Sequence, residues 1–151
     1  MKIIHRMLEY KYAGRHNPIV HLFTGNSYIT KDARLVMGRG AAHACLCLYP
    51  GIDREFAEVI PHDDYYGLRI LPNNIGVFQV KFHFRNNASL NLIRQSARQL
   101  AAIATAYSRT TYRCNFPGVG NGRLEFSEVL EVLEEERLPA NVEFYYVEGA
   151  A

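Results

Sequence analysis

Along this chain the hydrophobic period changes repeatedly, and that alternation restricts the fold more than any other feature. Runs of β-branched and aromatic residues read as strands at residues 18–24 (PIVHLFT), 68–71, 75–82, 110–116 and 142–147, with residues 1–8 as a further edge strand. Between them, residues 41–49, 53–60, 89–107 and 127–137 read as helices. In the longest, Leu90, Ile93, Ala97, Leu100, Ala101 and Ala104 recur at i+3 and i+4, with Arg94, Gln95, Arg98 and Gln99 on the other face. The 127–137 helix carries Val129, Leu130 and Leu133, with Val132 less well placed, and ends before Pro139. Its acidic residues are expected in the first turn, where the helix dipole favours them. Strands alternating with helices predict an α/β fold, a mostly parallel or mixed sheet with helices on both faces. Ligands of such sheets sit beyond the carboxyl ends of the strands.

Length and composition narrow the class. The 151 residues contain no repeat and no dividing linker, so a single domain over 1–151 is expected. Hydrophobic residues make up 48% and charged residues 21%, which excludes a disordered or low-complexity chain. A net charge of +2 gives no bulk attraction for nucleic acid, although one basic face stays open. No segment approaches 18 apolar residues and no signal-peptide pattern opens the chain, so a cytoplasmic protein without a membrane partner is expected. Cys45, Cys47 and Cys114 cannot all pair within one chain and are read as reduced core residues.

Two glycine-bearing loops join a strand side to a helix, and both are expected on the same sheet edge. Gly118-Val119-Gly120-Asn121-Gly122-Arg123 has three alternating glycines whose backbone N–H groups can approach phosphates. It is neither a Walker A loop nor a GxGxxG fingerprint, and a plain strand-to-helix turn explains it equally. Gly38-Arg39-Gly40, followed by Ala41 and Ala42, repeats the logic at the start of what reads as a short buried helix. Close packing against a neighbour is its alternative. Together the loops favour a diphosphate held between two helix N-termini.

Other residues carry weaker signals. Asn26 suits a ribose hydroxyl or a turn; His43 suits a core histidine or a catalyst. Lys81-Phe82-His83-Phe84-Arg85 alternates basic and aromatic residues, which suits RNA or a strand end with its aromatics in the core. Asp63-Asp64 reads as a metal pair or a solvated loop. No Ser-His-Asp or Cys-His arrangement stands out, no His or Cys spacing suggests zinc, and no cofactor is implied.

Thr24-Gly25-Asn26-Ser27-Tyr28, Val36-Met37-Gly38-Arg39-Gly40-Ala41-Ala42, Tyr49-Pro50-Gly51 and Phe116-Pro117-Gly118-Val119-Gly120-Asn121-Gly122-Arg123-Leu124-Glu125-Phe126 together resemble the macro domain, the ADP-ribose-binding fold. The resemblance spans roughly residues 20–147. It is similar to a small bacterial and phage branch near the ADP-ribose-1″-phosphate phosphatases and the nucleic-acid-directed ADP-ribosyl hydrolases. It implies a three-layer α/β/α domain with a central mixed sheet. It also implies that residues 38–42 contact the distal ribose and diphosphate, with residues 118–123 closing from the other side. Asn26 would lie near the distal ribose, Thr24 would be a further ligand-binding residue, and Tyr145 or Tyr146 would pack near the adenine. The partner implied is ADP-ribose or an ADP-ribosylated substrate, nucleic acid entering only as a modified substrate, in the host cytoplasm if the chain is phage-encoded.

The chain departs from that pattern. No Gly-Asp-Ile segment supplies the aspartate that many relatives use to read adenine. The helix after Gly40 lacks the lysine of the branch that forms a lysyl adduct; Lys31 precedes the loop and Lys81 is read on a different strand. Three functions follow. The first is an enzyme acting on an ADP-ribose derivative, with Asn26 and His43 (or His83) near a positioned water. The second is a non-catalytic ADP-ribose module, and the third an RNA-binding domain using residues 81–85.

Overall fold

The computed structural model describes residues 1–12, 16–60 and 66–149. Strands β1 (Lys2–Ile4), β2 (Ile19–Gly25), β3 (Leu68–Ile70), β4 (Ile75–Gln79), β5 (Thr111–Asn115) and β6 (Val142–Tyr145) form one sheet in the order β1-β6-β5-β2-β4-β3. Every neighbouring pair is parallel except β3 with β4, so the sheet is mixed, with β1 at one edge as expected. Helices α1 (Gly40–Leu48), α2 (Ile52–Val59), α3 (Leu90–Ala106) and α4 (Phe126–Glu135) complete a three-layer α/β/α domain.

The two faces of the sheet belong to separate cores. Val20, Leu22, Tyr112, Cys114, Val142 and Phe144 pack with the stripe of α3 (Ile93, Ala97, Leu100, Ala104) and with Val129, Val132 and Leu133 of α4. Ser89 caps α3, its hydroxyl accepting from the Leu92 N–H at 3.3 Å. Phe23, Ile75 and Val77 instead face Leu35, Met37, Cys45 and Phe56 beneath α1 and α2. On this second face residues 6–12 cross the sheet near β5. There the Tyr10 hydroxyl lies 2.8 Å from Leu22 O and 3.0 Å from Asn115 Oδ1, two acceptors that share its one proton. Tyr12 stacks on Tyr49 with ring centroids 5.3 Å apart.

Three expectations need correction. Only Glu128 lies in the first turn of α4; Glu134 and Glu135 sit in its last turns, at the end the dipole disfavours. Arginines of α3 offset them: Arg94 pairs with Glu135, and Arg98 meets Glu136 at 3.0 Å. Second, α1 is not a buried helix: only Ala42 and Cys45 are buried, while His43, Ala44, Cys47 and Leu48 face solvent. Its apolar residues run continuously rather than at helical spacing, so one side has nothing to pack on. Third, Cys47 is therefore exposed. Cys45 and Cys114 are buried free thiols; burial pushes the Cys45 thiol up to about 12 and that of Cys114 well above its usual range.

Candidate functional site

The first glycine loop is held from below and open above. Where β2 ends, Asn26 is buried and spends its amide on the backbone. Its Nδ2 donates to Val36 O at 3.1 Å, and its Oδ1 accepts from the Tyr28 N–H at 2.9 Å. These bonds tie the strand end to the segment entering the loop. Beyond Met37, which is buried, a Cβ at Gly38 would meet nothing within 4 Å. Arg39 is the extended N-cap of α1 and no side chain caps it, so among the described residues the first N–H groups of the helix keep no side-chain partner. Gly40 has φ +59°, and a Cβ there would come 3.6 Å from Asn121 Nδ2. The two loops therefore meet, on one edge, as expected.

The second loop is wedged against the core. Gly118 (φ +80°) and Gly120 (φ +76°) use backbone that favours glycine, and Arg123 takes φ +61°. Gly120–Gly122 forms one 3-10 turn. A Cβ at Gly118 would lie 2.7 Å from Ile93 Cδ1, and one at Gly122 2.8 Å from Ala88 Cβ. The N-terminus of α4 is closed by its own carboxylates: Glu125 and Glu128 form a reciprocal capping box. The expectation of two helix N-termini facing a diphosphate is thus corrected: α1 offers one, and α4 does not.

A third loop reaches the same edge. Since β4 ends at Gln79, Lys81 and the aromatics after it lie beyond the strand, not on it. Phe82 O accepts from the Ser27 Oγ at 2.9 Å, which joins this loop to the end of β2. Burial first, then Arg39 and Arg123, hold the Lys81 ammonium below its ordinary pKa. None of these three cations pairs with a carboxylate among the described residues. Phe82 and Phe84 are exposed, which overturns the strand end with core-facing aromatics; Phe84 instead stacks on His83, and both rings meet Tyr28 edge-on.

The remaining candidates divide. His43 is exposed, not a core histidine, and its Nε2 lies 3.6 Å from Cys47 Sγ, one turn away from the glycine loop. The Thr24 hydroxyl accepts from Asn115 Nδ2 at 2.7 Å. Tyr145 is buried and bonds Glu143 at 3.0 Å. Tyr146 lines a cavity of about 660 Å³ together with His5, Val119, Leu124, Phe126 and Glu148. Its ring lies 4.3 Å from that of Phe126, which stacks on Phe116 at 4.6 Å. Val119 thus carries the second loop into an aromatic cavity. Sequence reasoning did not single out Phe126, although it ends the quoted glycine-loop run, or His5, which no sequence pattern marks.

Asp63-Asp64 lies outside the described residues. Among the described residues no group of three or more His, Cys, Asp or Glu could hold a metal ion, and no helix is long and apolar enough to cross a membrane.

No family model and no curated protein matches the sequence. Solved structures do match the fold. The macrodomain of Mycobacterium tuberculosis DarG superposes with a TM-score of 0.71 at 18% identity, over 95% of this chain and 96% of that one. The macrodomain of Thermus aquaticus DarG gives 0.68 at 18%, over 97% of each. Thermosipho africanus DarTG in complex with ADP-ribose gives 0.61 at 17%, over 85% of this chain and 38% of that one. The fold of this chain is that of a macrodomain.

Proposed function

We propose that the edge formed by residues 38–42 and 118–123 binds ADP-ribose or a derivative of it. The observation that carries this reading is the meeting of the two loops. The uncapped start of α1 lies beside the second loop, where a Cβ on Gly40 would reach Asn121, and Val119 extends that loop into the aromatic cavity. The diphosphate takes the N–H groups of α1 and of the Gly118–Arg123 backbone, with Arg39, Arg123 and Lys81 as surrounding charge. The adenine lies against Tyr146 and Phe126. In that cavity Glu148 is the carboxylate free to read it, because Glu125 is engaged in the α4 cap.

The chemistry proposed is removal of a terminal phosphate from ADP-ribose-1″-phosphate, or hydrolysis of an ADP-ribosyl linkage to a protein or nucleic acid, in the cytoplasm. Asn26 orients the distal ribose and a water with the second hydrogen of its amide. His43, exposed on α1 with its Nε2 beside Cys47 Sγ, is the further catalytic candidate for that water. A second reading, a non-catalytic ADP-ribose module, is favoured by the same Asn26, whose amide already serves Val36 and Tyr28.

Calorimetry tests the ligand. ADP-ribose is expected to bind in the micromolar range, about −8 kcal/mol, and more tightly than AMP. Equal affinities would remove the diphosphate and second ribose from this edge. Product analysis with ADP-ribose-1″-phosphate and with ADP-ribosylated protein and DNA then separates enzyme from module. Turnover lost in Asn26→Ala while ADP-ribose still binds supports the positioned water. An ADP-ribose adduct trapped on Lys81 by borohydride would replace it with a covalent route.

A further inference from the structure

On the face of the sheet turned toward α1 and α2, four cross-strand partners form a polar row: Lys2 on β1, Glu143 on β6, Arg113 on β5 and His21 on β2. Their chain neighbours Val20, Leu22, Tyr112, Cys114, Val142 and Phe144 fill the opposite core, so period-two alternation sends the row to this face. Residues 6–12 pass over it. Between segment and sheet lies a cleft of about 300 Å³ lined by Arg6, Lys11, His21, Arg113, Tyr145 and one carboxylate, Glu9, among others.

Within this cleft a buried polar atom lacks a partner. His21 is only 5% exposed, and its buried Nδ1 has no hydrogen bond among the described residues. Leaving such an atom unpaired is costly unless something in the cleft bonds it. The cations around it are incompletely used. Arg113 gives its Nε to Glu143 at 3.0 Å, and its terminal amino groups take no partner among the described residues. Arg6 lies over the Tyr145 ring, 5.4 Å from its centroid, and forms no ion pair among the described residues. Lys11 has an exposed contact with Glu9 at 3.6 Å. The Tyr10 ring closes one side of the imidazole at 6.0 Å. Burial first, then Arg113 and Lys11, hold the imidazole below its ordinary pKa, so at neutral pH it is uncharged and offers one N–H.

We propose that this cleft is a second binding site, separate from the glycine loops, that takes a small oxyanion, phosphate or a phosphomonoester, against Arg6, Arg113 and His21. Arginine forks match phosphate oxygens two at a time, and a neutral imidazole N–H adds a donor without further repulsion. The cleft has room for a phosphate on a short carbon stem.

Side-chain histidine NMR tests the site directly, with His21→Gln used to assign the His21 ring signals. Inorganic phosphate and glycerol 3-phosphate are each titrated at constant ionic strength, against acetate and chloride, with and without saturating ADP-ribose. Phosphate is expected to move the His21 signals saturably, to raise the pKa of the ring and to bind equally well with ADP-ribose present. Tighter binding of the ester than of inorganic phosphate would identify it as the preferred form. Arg6→Gln, an exposed substitution, should weaken phosphate at least fivefold and leave ADP-ribose affinity unchanged. His21 signals that ignore phosphate would assign the cleft to water alone. Equal responses to acetate or chloride, competition by ADP-ribose, or full phosphate affinity in Arg6→Gln would each overturn the proposal.

Discussion

The two glycine loops have similar compositions and lie on the same edge, yet their glycines are there for different reasons. In the second loop, Gly118 and Gly122 are set by packing: each would push a Cβ to within 3 Å of a side chain of the 88–93 region. In the first, Gly38 adjoins open space and Gly40 is set by its positive φ. A fold needs the second loop in order to pack α3 and α4, whether or not a ligand binds. Nothing in the packing explains the open side of the first. The position with no structural reason to be glycine is the more informative one about ligand, an inversion of the ranking that composition alone suggests.

The comparison is most exposed to a substitution in the wedged loop. Gly118→Val combines overpacking with a left-handed backbone and should cost on the order of 3 kcal/mol of stability, read from urea unfolding. A loss under about 1 kcal/mol would mean that the second loop is not wedged. Next come two changes read in ligand affinity, of which only the second leaves the fold untouched. Gly120→Val should weaken ADP-ribose at least tenfold, about 1.4 kcal/mol, by straining the 3-10 turn and filling phosphate space. Gly38→Val should weaken it by a similar factor while leaving the unfolding free energy within about 0.5 kcal/mol of the parent. Full affinity in Gly38→Val would reduce the first loop to a turn. The smallest effect is expected at the third loop. Lys81→Met should lower affinity about threefold at low salt, and the difference should fade near 0.5 M salt, where exposed charges are screened. A loss that ignores salt would assign Lys81 a direct bond to the ligand.

Periodicity revealed the architecture because burial imposed it. The α3 stripe and the alternation in β5 and β6 are the sequence image of a core. Where an apolar run lacked a period, reading failed: residues 41–49 are apolar for reasons other than burial, and α1 shows an exposed His43, Cys47 and Leu48. Strand ends were overrun by two or three residues at β4 and β6, and that error hid the site position of Lys81. Pairings between distant residues left no local trace. Nothing near His21 announces Arg113, and nothing near Glu136 announces Arg98. Of the site, the glycine loops were legible because unusual backbone needs glycine, whereas His5 and Glu148 enter the cavity only through the order of the strands.

The strand order also sets a timetable. β1 pairs only with β6, although some 140 residues separate them in the chain. During synthesis Lys2–Ile4 must wait, unpaired, while the interior strands β2, β4 and β5 find one another. Only when Val142–Tyr145 emerges and docks on β5 can the first strand close the edge. The polar row that spans β1, β6, β5 and β2 is accordingly assembled last, so the charged face with its unpaired imidazole nitrogen is the part of the molecule that a stalled or truncated chain would lack.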